Sequence, residues 1–295
     1  MSIYDNNNMN FKSNRIAIAY RIYPKVSKVP PIYSEDKLKL SELCLSSFAN
    51  ALKDIDYKVW VILDNCPKEY NALFKKHLND KTELIDTPGI GNPGTFGKQM
   101  DILLNQDFSD NVYFAEDDYF YRPNAFQEML KFSESAHNPD FLTPYDHLDY
   151  YNLDLHQYPK TNIKFSADIN WRSESTTCMT FFTKKSILKE TYSVFETYTR
   201  KNYDASLWLA LTKKKIFNPI IYPKYLFTQF PFFKILGKAW LYTPLKLLFG
   251  KKYSLYAPQA SLSTHMDSQF LAPNINWENL FEQEKKVLCF EQKKC

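Results

Sequence analysis

Asn111-Val-Tyr-Phe-Ala-Glu-Asp-Asp-Tyr-Phe-Tyr-Arg-Pro-Asn-Ala-Phe126 drives an apolar strand, 112–115, straight into three consecutive carboxylates, Glu116, Asp117 and Asp118, after which Pro123 opens a helix. Adjacent carboxylates repel one another unless something cationic sits among them. Hard oxygen donors of this kind suit Mg²⁺ or Mn²⁺, which are usually bound through one or two carboxylates plus substrate phosphates. A site for a metal-held diphosphate is therefore one reading. A solvated acidic turn closing a strand is the other, and three residues alone do not decide between them.

The chain upstream supplies context. Residues 15–23 form a compact apolar strand, and Pro24, Pro30 and Pro31 then break the chain into a loop. Residues 34–52 read as a helix with Leu38, Leu40, Leu43, Leu45 and Phe48 on one face. A near-continuous apolar strand, 57–65, ends in Asp64; a helix over 67–78, a short strand over 82–85 and a helix over 95–104 follow. Strands apolar on both faces, alternating with helices, argue a parallel doubly wound sheet. Such sheets bind ligands at the carboxyl ends of their strands, near the topological switch. Three polar clusters fall there: 20–23, Asp64 with Asn65, and 116–118. Their convergence favours a nucleotide-type ligand. The Gly/Pro segment 88–94 precedes a helix carrying Lys98 and Gln99, and a helix N-terminus with a nearby Lys attracts phosphate. It matches neither a P-loop nor GxGxxG, so an ordinary helix start remains the alternative.

This order of elements, with Ala115-Glu-Asp-Asp-Tyr-Phe-Tyr-Arg-Pro-Asn-Ala-Phe126, resembles the GT-A fold of nucleotide-sugar-dependent glycosyltransferases, whose DxD-type motif is often written EDD or DDD. The form resembles that of N-acetylglucosaminyltransferase I and family-2-like variants, well over 14–130 and loosely beyond. The resemblance implies an α/β, Rossmann-like GT-A fold with a mainly parallel central sheet flanked by helices and an acceptor-binding C-terminal half. It implies Mn²⁺ or Mg²⁺ on Asp118, with Asp117 and Glu116 holding ribose or orienting the site. Asp64 would lie near base or ribose, and Tyr20 or Arg21 near the base. Glu116 stands where a strict Asp-x-Asp has Asp, which leaves the ribose contact the less secure assignment.

In the second half, residues 141–151 open from a strand into a loop rich in Tyr, Asp and His, suited to a sugar or to a polar lid. Residues 171–183 read as a strand and 184–195 as a helix. Asp204 begins an apolar helix within 202–212, where an acid can be a helix-dipole partner. By the resemblance it is the general base that deprotonates an acceptor hydroxyl in inverting GT-A enzymes. His265 follows a short strand; a lone His is often structural, but many GT-A enzymes return a His to the metal or diphosphate at this chain position. Lys251, Lys252 and Arg172 are candidates to neutralise the leaving diphosphate.

With 295 residues, 17% of them aromatic and only six glycines, the chain can bury a full core. Its net charge of +4 is too small to argue for nucleic acid. Five cysteines without paired spacing read as free thiols in a reducing compartment. The N-terminus shows neither a basic nor an apolar leader, and no run spans a bilayer, so the reading is cytoplasmic. Residues 223–253 carry Lys224, Lys234, Lys238, Lys246, Lys251 and Lys252, abundant Phe, Leu, Trp and Tyr, and no acid. Such composition suits either peripheral attachment to an anionic membrane surface, or a buried helical hairpin or oligomer contact whose lysines stay in water. The division expected is a nucleotide-sugar half, 14–130; an acceptor half, 131–222; the basic aromatic insert, 223–256; and a closing segment, 257–295. The function expected is metal-dependent sugar transfer from a nucleotide-sugar, a UDP-sugar by default, to a saccharide or lipid-linked saccharide in surface polysaccharide or glycan synthesis. A nucleotidyltransferase acting on a sugar phosphate and a non-catalytic carbohydrate-binding protein are the alternatives.

Overall fold

The computed structural model describes residues 14–292 except 27, 79, 158–162 and 167–168; the leader at 1–13 and Cys295 lie outside the described residues. The first half runs β1 (Arg15–Ile22), α1 (Lys37–Ala51), β2 (Asp56–Asp64), α2 (Glu69–His77), β3 (Thr82–Thr87), α3 (Gly91–Asn105), β4 (Asn111–Glu116), β5 (Tyr119–Tyr121) and α4 (Ala125–Ser133). The second begins with β6 (Phe141–Leu142), α5 (Asp149–Asn152), β7 (Ile163–Ser166), β8 (Ile169–Ser173), β9 (Phe181–Lys184) and α6 (Lys185–Phe195). It continues through a 3₁₀ turn, Glu196–Arg200, to α7 (Asp204–Thr212), α8 (Ile221–Thr228), α9 (Phe230–Tyr242), α10 (Pro244–Phe249), β10 (Leu255–Pro258), β11 (Ser263–His265) and α11 (Trp277–Gln292).

One sheet takes the order β3-β2-β1-β4-β9-β6-β10-β8-β7, and β5 pairs with β11 in a second, two-stranded sheet. The block β3-β2-β1-β4 is parallel, β9 lies antiparallel between β4 and β6, and β10 is parallel to β6. The chain winds outward from β1 through β2 to β3, then returns to place β4 on the other side of β1. The switch point therefore lies between the carboxyl ends of β1 and β4. The fold is the expected α/β arrangement, a largely parallel central sheet flanked by helices.

Strand alternation sets the two layers. Ile16, Ile18, Tyr20 and Ile22 of β1 pack into the core shared with α1 and α2, while Ala17 and Ala19 face the core that contains Phe96 and Met100 of α3. The small alanines leave room for Gln99, whose amide donates to the carbonyls of Ala19 (2.7 Å) and Ala115 (2.9 Å) and so ties α3 to both strands of the switch. The second core centres on Phe181, stacked on Phe114 at 4.5 Å and Phe195 at 5.1 Å and set edge-on to Trp208 at 5.0 Å.

Three local expectations are corrected. Residues 171–183 are two strands, not one: β8 joins β7 and β10, whereas β9 enters between β4 and β6. The buried turn between them has its backbone satisfied by side chains, as Tyr150 donates to Thr176 O, Thr212 to Ser175 O and Lys214 to Glu174 O. Next, β5 intervenes between the carboxylates and α4. Finally, α3 starts at Gly91 rather than 95, because Pro93 occupies the first turn, where a missing N–H costs nothing.

Phe181→Ala is expected to cost about 3–5 kcal/mol in urea unfolding. Phe227→Ala, at a ring 83% exposed on α8, should change stability by less than about 0.5 kcal/mol.

Candidate active site at the carboxyl ends of the strands

A cavity of about 540 Å³ opens at the switch point. The end of β1 supplies Arg21, Ile22 and Tyr23, the end of β2 Asp64 and Asn65, the entry to α3 Pro88, Gly89, Gly91, Asn92 and Thr95, and the end of β4 Glu116, Asp117 and Asp118. A larger groove of about 760 Å³ lies at the opposite ends of the strands, around Arg15, Asp56 and Lys184, away from the carboxylates.

Asp64 lines the cavity with both oxygens committed. Oδ1 accepts from Thr87 Oγ1 (2.8 Å) and Ile90 N (2.7 Å), and Oδ2 accepts from Gly91 N (2.8 Å). Gly89 and Gly91 adopt φ of +87° and +72°, a region glycine enters without strain, and this lets the loop fold back onto the carboxylate. Asp64 thus shapes the entry to α3.

Each residue of the acidic triplet meets its own cation. Glu116 Oε1 takes Arg21 Nη2 at 2.5 Å, its Oε2 takes Thr180 Oγ1 at 2.7 Å, and Arg21 Nη1 also donates to Asn92 O at 3.0 Å. Asp117 pairs with Lys37 Nζ at 2.5 Å. Asp118 Oδ2 pairs with His265 Nε2 at 3.0 Å. The β5–β11 sheet makes this last contact: Tyr119 and His265 are in register, and Met266 N donates to Asp118 O at 2.7 Å. Burial raises the Asp117 carboxyl against the opposing charge of Lys37. Burial would raise Asp118 too, but His265, then Lys37 and Arg21, hold it well below the usual carboxylate range.

Arg21 comes to the cavity and its neighbour Tyr20 does not. Successive strand residues face opposite ways, so Tyr20 sits in the core edge-on to Phe48 at 5.2 Å and Phe74 at 5.4 Å. Lys98 is exposed and absent from the cavity wall, since the earlier start of α3 leaves it beyond the first turn. Asp204 opens α7 and its Oδ1 accepts from Ala205 N at 2.6 Å. Burial raises its carboxyl against that hydrogen bond, and the charge of Glu116 raises it further, which places Asp204 within the field of the triplet. Of the expected phosphate cations, Arg172 is spent on Asp146 and Glu174, and Lys251 pairs with Asp140 outside the cavity. Lys252 is exposed and does not line it either. Sequence reasoning missed Lys37 and Thr180. A lysine in the first turn of a helix opposes the dipole, and that was the available signal for Lys37; Thr180 gave none.

The residues fit a divalent cation. Asp118 Oδ1 is buried without a hydrogen-bond partner, and the donors around it are carboxylate oxygens with one imidazole. Among the described residues no group of three or more His, Cys, Asp or Glu is placed to hold a metal ion by itself.

No family model matches the sequence, and comparison with curated proteins gives no match. Among solved structures, residues 1–349 of TarS from S. aureus align with a TM-score of 0.40 and 14% identity over 61% of this chain and 49% of that one. The glycosyltransferase GlyE of Streptococcus pneumoniae TIGR4 aligns at 0.41 and 14% over 92% and 60%. CMP:2-keto-3-deoxy-manno-octonic acid synthetase complexed with CTP aligns at 0.39 and 10% over 66% and 85%. The chain spans about half the length of the TarS fragment. Scores and identities this low assign no activity.

The His265 pair has a pH signature. Burial lowers the imidazole, but the charge and hydrogen bond of Asp118 outweigh it, so the folded value lies above the ordinary one. The stabilisation is complete below about 6.5, the unfolded value, and is lost as pH rises through the folded value. Without added metal, the thermal midpoint should fall above about pH 6.5 more steeply in the native chain than in His265→Gln. Equal slopes would show that the pair contributes nothing.

Proposed function

We infer that the chain is a metal-dependent, GT-A-type glycosyltransferase that moves a sugar, with inversion, from a nucleotide-sugar to a hydroxyl of a saccharide or lipid-linked saccharide. The observation that carries this reading is Asp118, whose buried Oδ1 has no partner beside a cavity walled by three strand ends and the N-terminus of α3. The cavity volume suits a nucleotide-sized ligand.

Arg21 presents a buried positive charge to this cavity while holding Glu116 and the carbonyl of Asn92 in place. The first turn of α3 adds amide donors that favour an anionic donor group. Asp118, with His265, would hold Mn²⁺ or Mg²⁺, and such an ion neutralises a departing diphosphate. A UDP-sugar is the first donor to test. Asp204, raised by burial and by Glu116, is suited to take the proton of the acceptor hydroxyl.

Thermal shift with a panel of nucleoside diphosphates, with and without Mn²⁺, tests the reading. One nucleotide should stabilise the protein, by about 2.7 kcal/mol at a hundredfold excess over its Kd, and more strongly with metal. Asp118→Asn should lose the metal-dependent increment and the transfer activity. Asp204→Asn should keep nucleotide binding while transfer falls by about 10² to 10⁴. No stabilisation by any nucleotide would overturn the assignment. Release of pyrophosphate from a nucleoside triphosphate and a sugar phosphate would place the chain among nucleotidyltransferases instead. Sugar binding without transfer, unaffected by Asp118→Asn, would mark a binding protein.

A further inference from the structure

Helices α8, α9 and α10 form a layer over α7. Their inner positions, among them Tyr225, Leu236 and Leu247, are buried in the second core. Their outer positions are large and apolar yet exposed: Phe227 by 83%, Leu241 by 75%, Leu245 by 72% and Phe249 by 82%. Trp240 Nε1 donates to Tyr222 Oη at 2.7 Å, which sets the start of α8 beside the end of α9, close to where α10 continues. Solvated monomers seldom leave so many large apolar side chains uncovered on one layer.

Charge identifies what covers it. No acidic residue occurs between Asp204 and Asp267 in the chain. Lys234, whose ammonium lies 4.9 Å from the centre of the Phe230 ring, and Lys246 are exposed on the layer, and Lys252 is exposed just beyond it. Lys224 and Lys251 instead pair with Asp154 and Asp140. A second copy meeting this face through a two-fold contact would press a basic, acid-free stretch against its own copy, with no carboxylate from that stretch to pair the lysines. An anionic lipid surface accepts both features at once, taking the apolar side chains into the headgroup boundary and the ammonium groups onto the phosphates.

We propose that the outer face of α8–α10 docks the protein peripherally on an anionic bilayer. No helix among the described residues is long and apolar enough to cross one. Docking at this face lies one helix away from Asp204: Ser206 Oγ donates to Ile235 O at 2.8 Å, and the Lys238 ammonium lies 3.6 Å from the centre of the Tyr203 ring. The docking stands independently of the reaction proposed above.

Vesicle flotation of the full chain tests it, with phosphatidylcholine alone and with phosphatidylcholine containing phosphatidylglycerol. The native chain should float with the anionic vesicles only, and raised salt should weaken the association. The triple variant Lys234→Glu, Lys246→Glu, Lys252→Glu should lose at least roughly a hundredfold in partitioning, the weight of three lysines near an anionic surface, with repulsion of the new carboxylates adding to it. Lys238 is left intact because it is tied to Tyr203. Leu245→Ser with Phe249→Ser should weaken flotation at every salt concentration, with an unchanged thermal midpoint confirming the fold. Equal recovery with neutral and anionic vesicles would overturn the proposal. So would a dimer in sedimentation that the two serine substitutions dissolve while flotation stays absent.

Discussion

Glu116, Asp117 and Asp118 are consecutive at the end of a buried strand, so their charges cannot be separated by more than a few bonds, and the surroundings must supply the compensation. They do so from three directions: Arg21 from the adjoining strand, Lys37 from the first turn of α1, and His265 from β11. Taking such pairs out of water costs much of what their attraction returns. Their yield lies in orientation: β1, α1 and the C-terminal segment are all fastened to one strand end. Glu116 is held on both oxygens by Arg21 and Thr180 and Asp117 pairs with Lys37, whereas Asp118 Oδ1 is buried without a hydrogen-bond partner.

The same enclosure sets acids apart in character. Asp118 is held ionised by the cations around it, whereas Asp204 is made more basic by burial and by the charge of Glu116. Two carboxylates pushed in opposite directions can take different duties at one pH. A wall that binds charge thus lies within electrostatic reach of a group suited to accept a proton.

Much of the first half was legible because its signals are local. Apolar runs, helical periodicity and breakers mark β1 to β4 without knowledge of the partners, and the switch point follows from their order. What failed depended on facing or on distant pairing. Tyr20 and Arg21 are indistinguishable as neighbours at a strand end, yet the pleat sends one into the core and the other into the cavity. Lys98 depended on where α3 begins, and the end of the Gly/Pro segment 88–94, which reads as a loop before the helix, is in fact its first turn. Thr180 looked like part of a strand, because the insertion of β9 between β4 and β6 is written in neither segment alone. His265 stood out in the sequence, but its partner is fixed by the pairing of β11 with β5.

That small two-stranded sheet bears on how the molecule assembles. Its strands come from distant parts of the chain, so closing it carries a large loop entropy that only a formed framework can offset. The parallel core can be drawn together from the N-terminal half, whereas the Asp118 end gains its imidazole only once β11 has arrived. A nascent chain released up to β4 therefore has the strands of the parallel core but not yet the imidazole that pairs with Asp118.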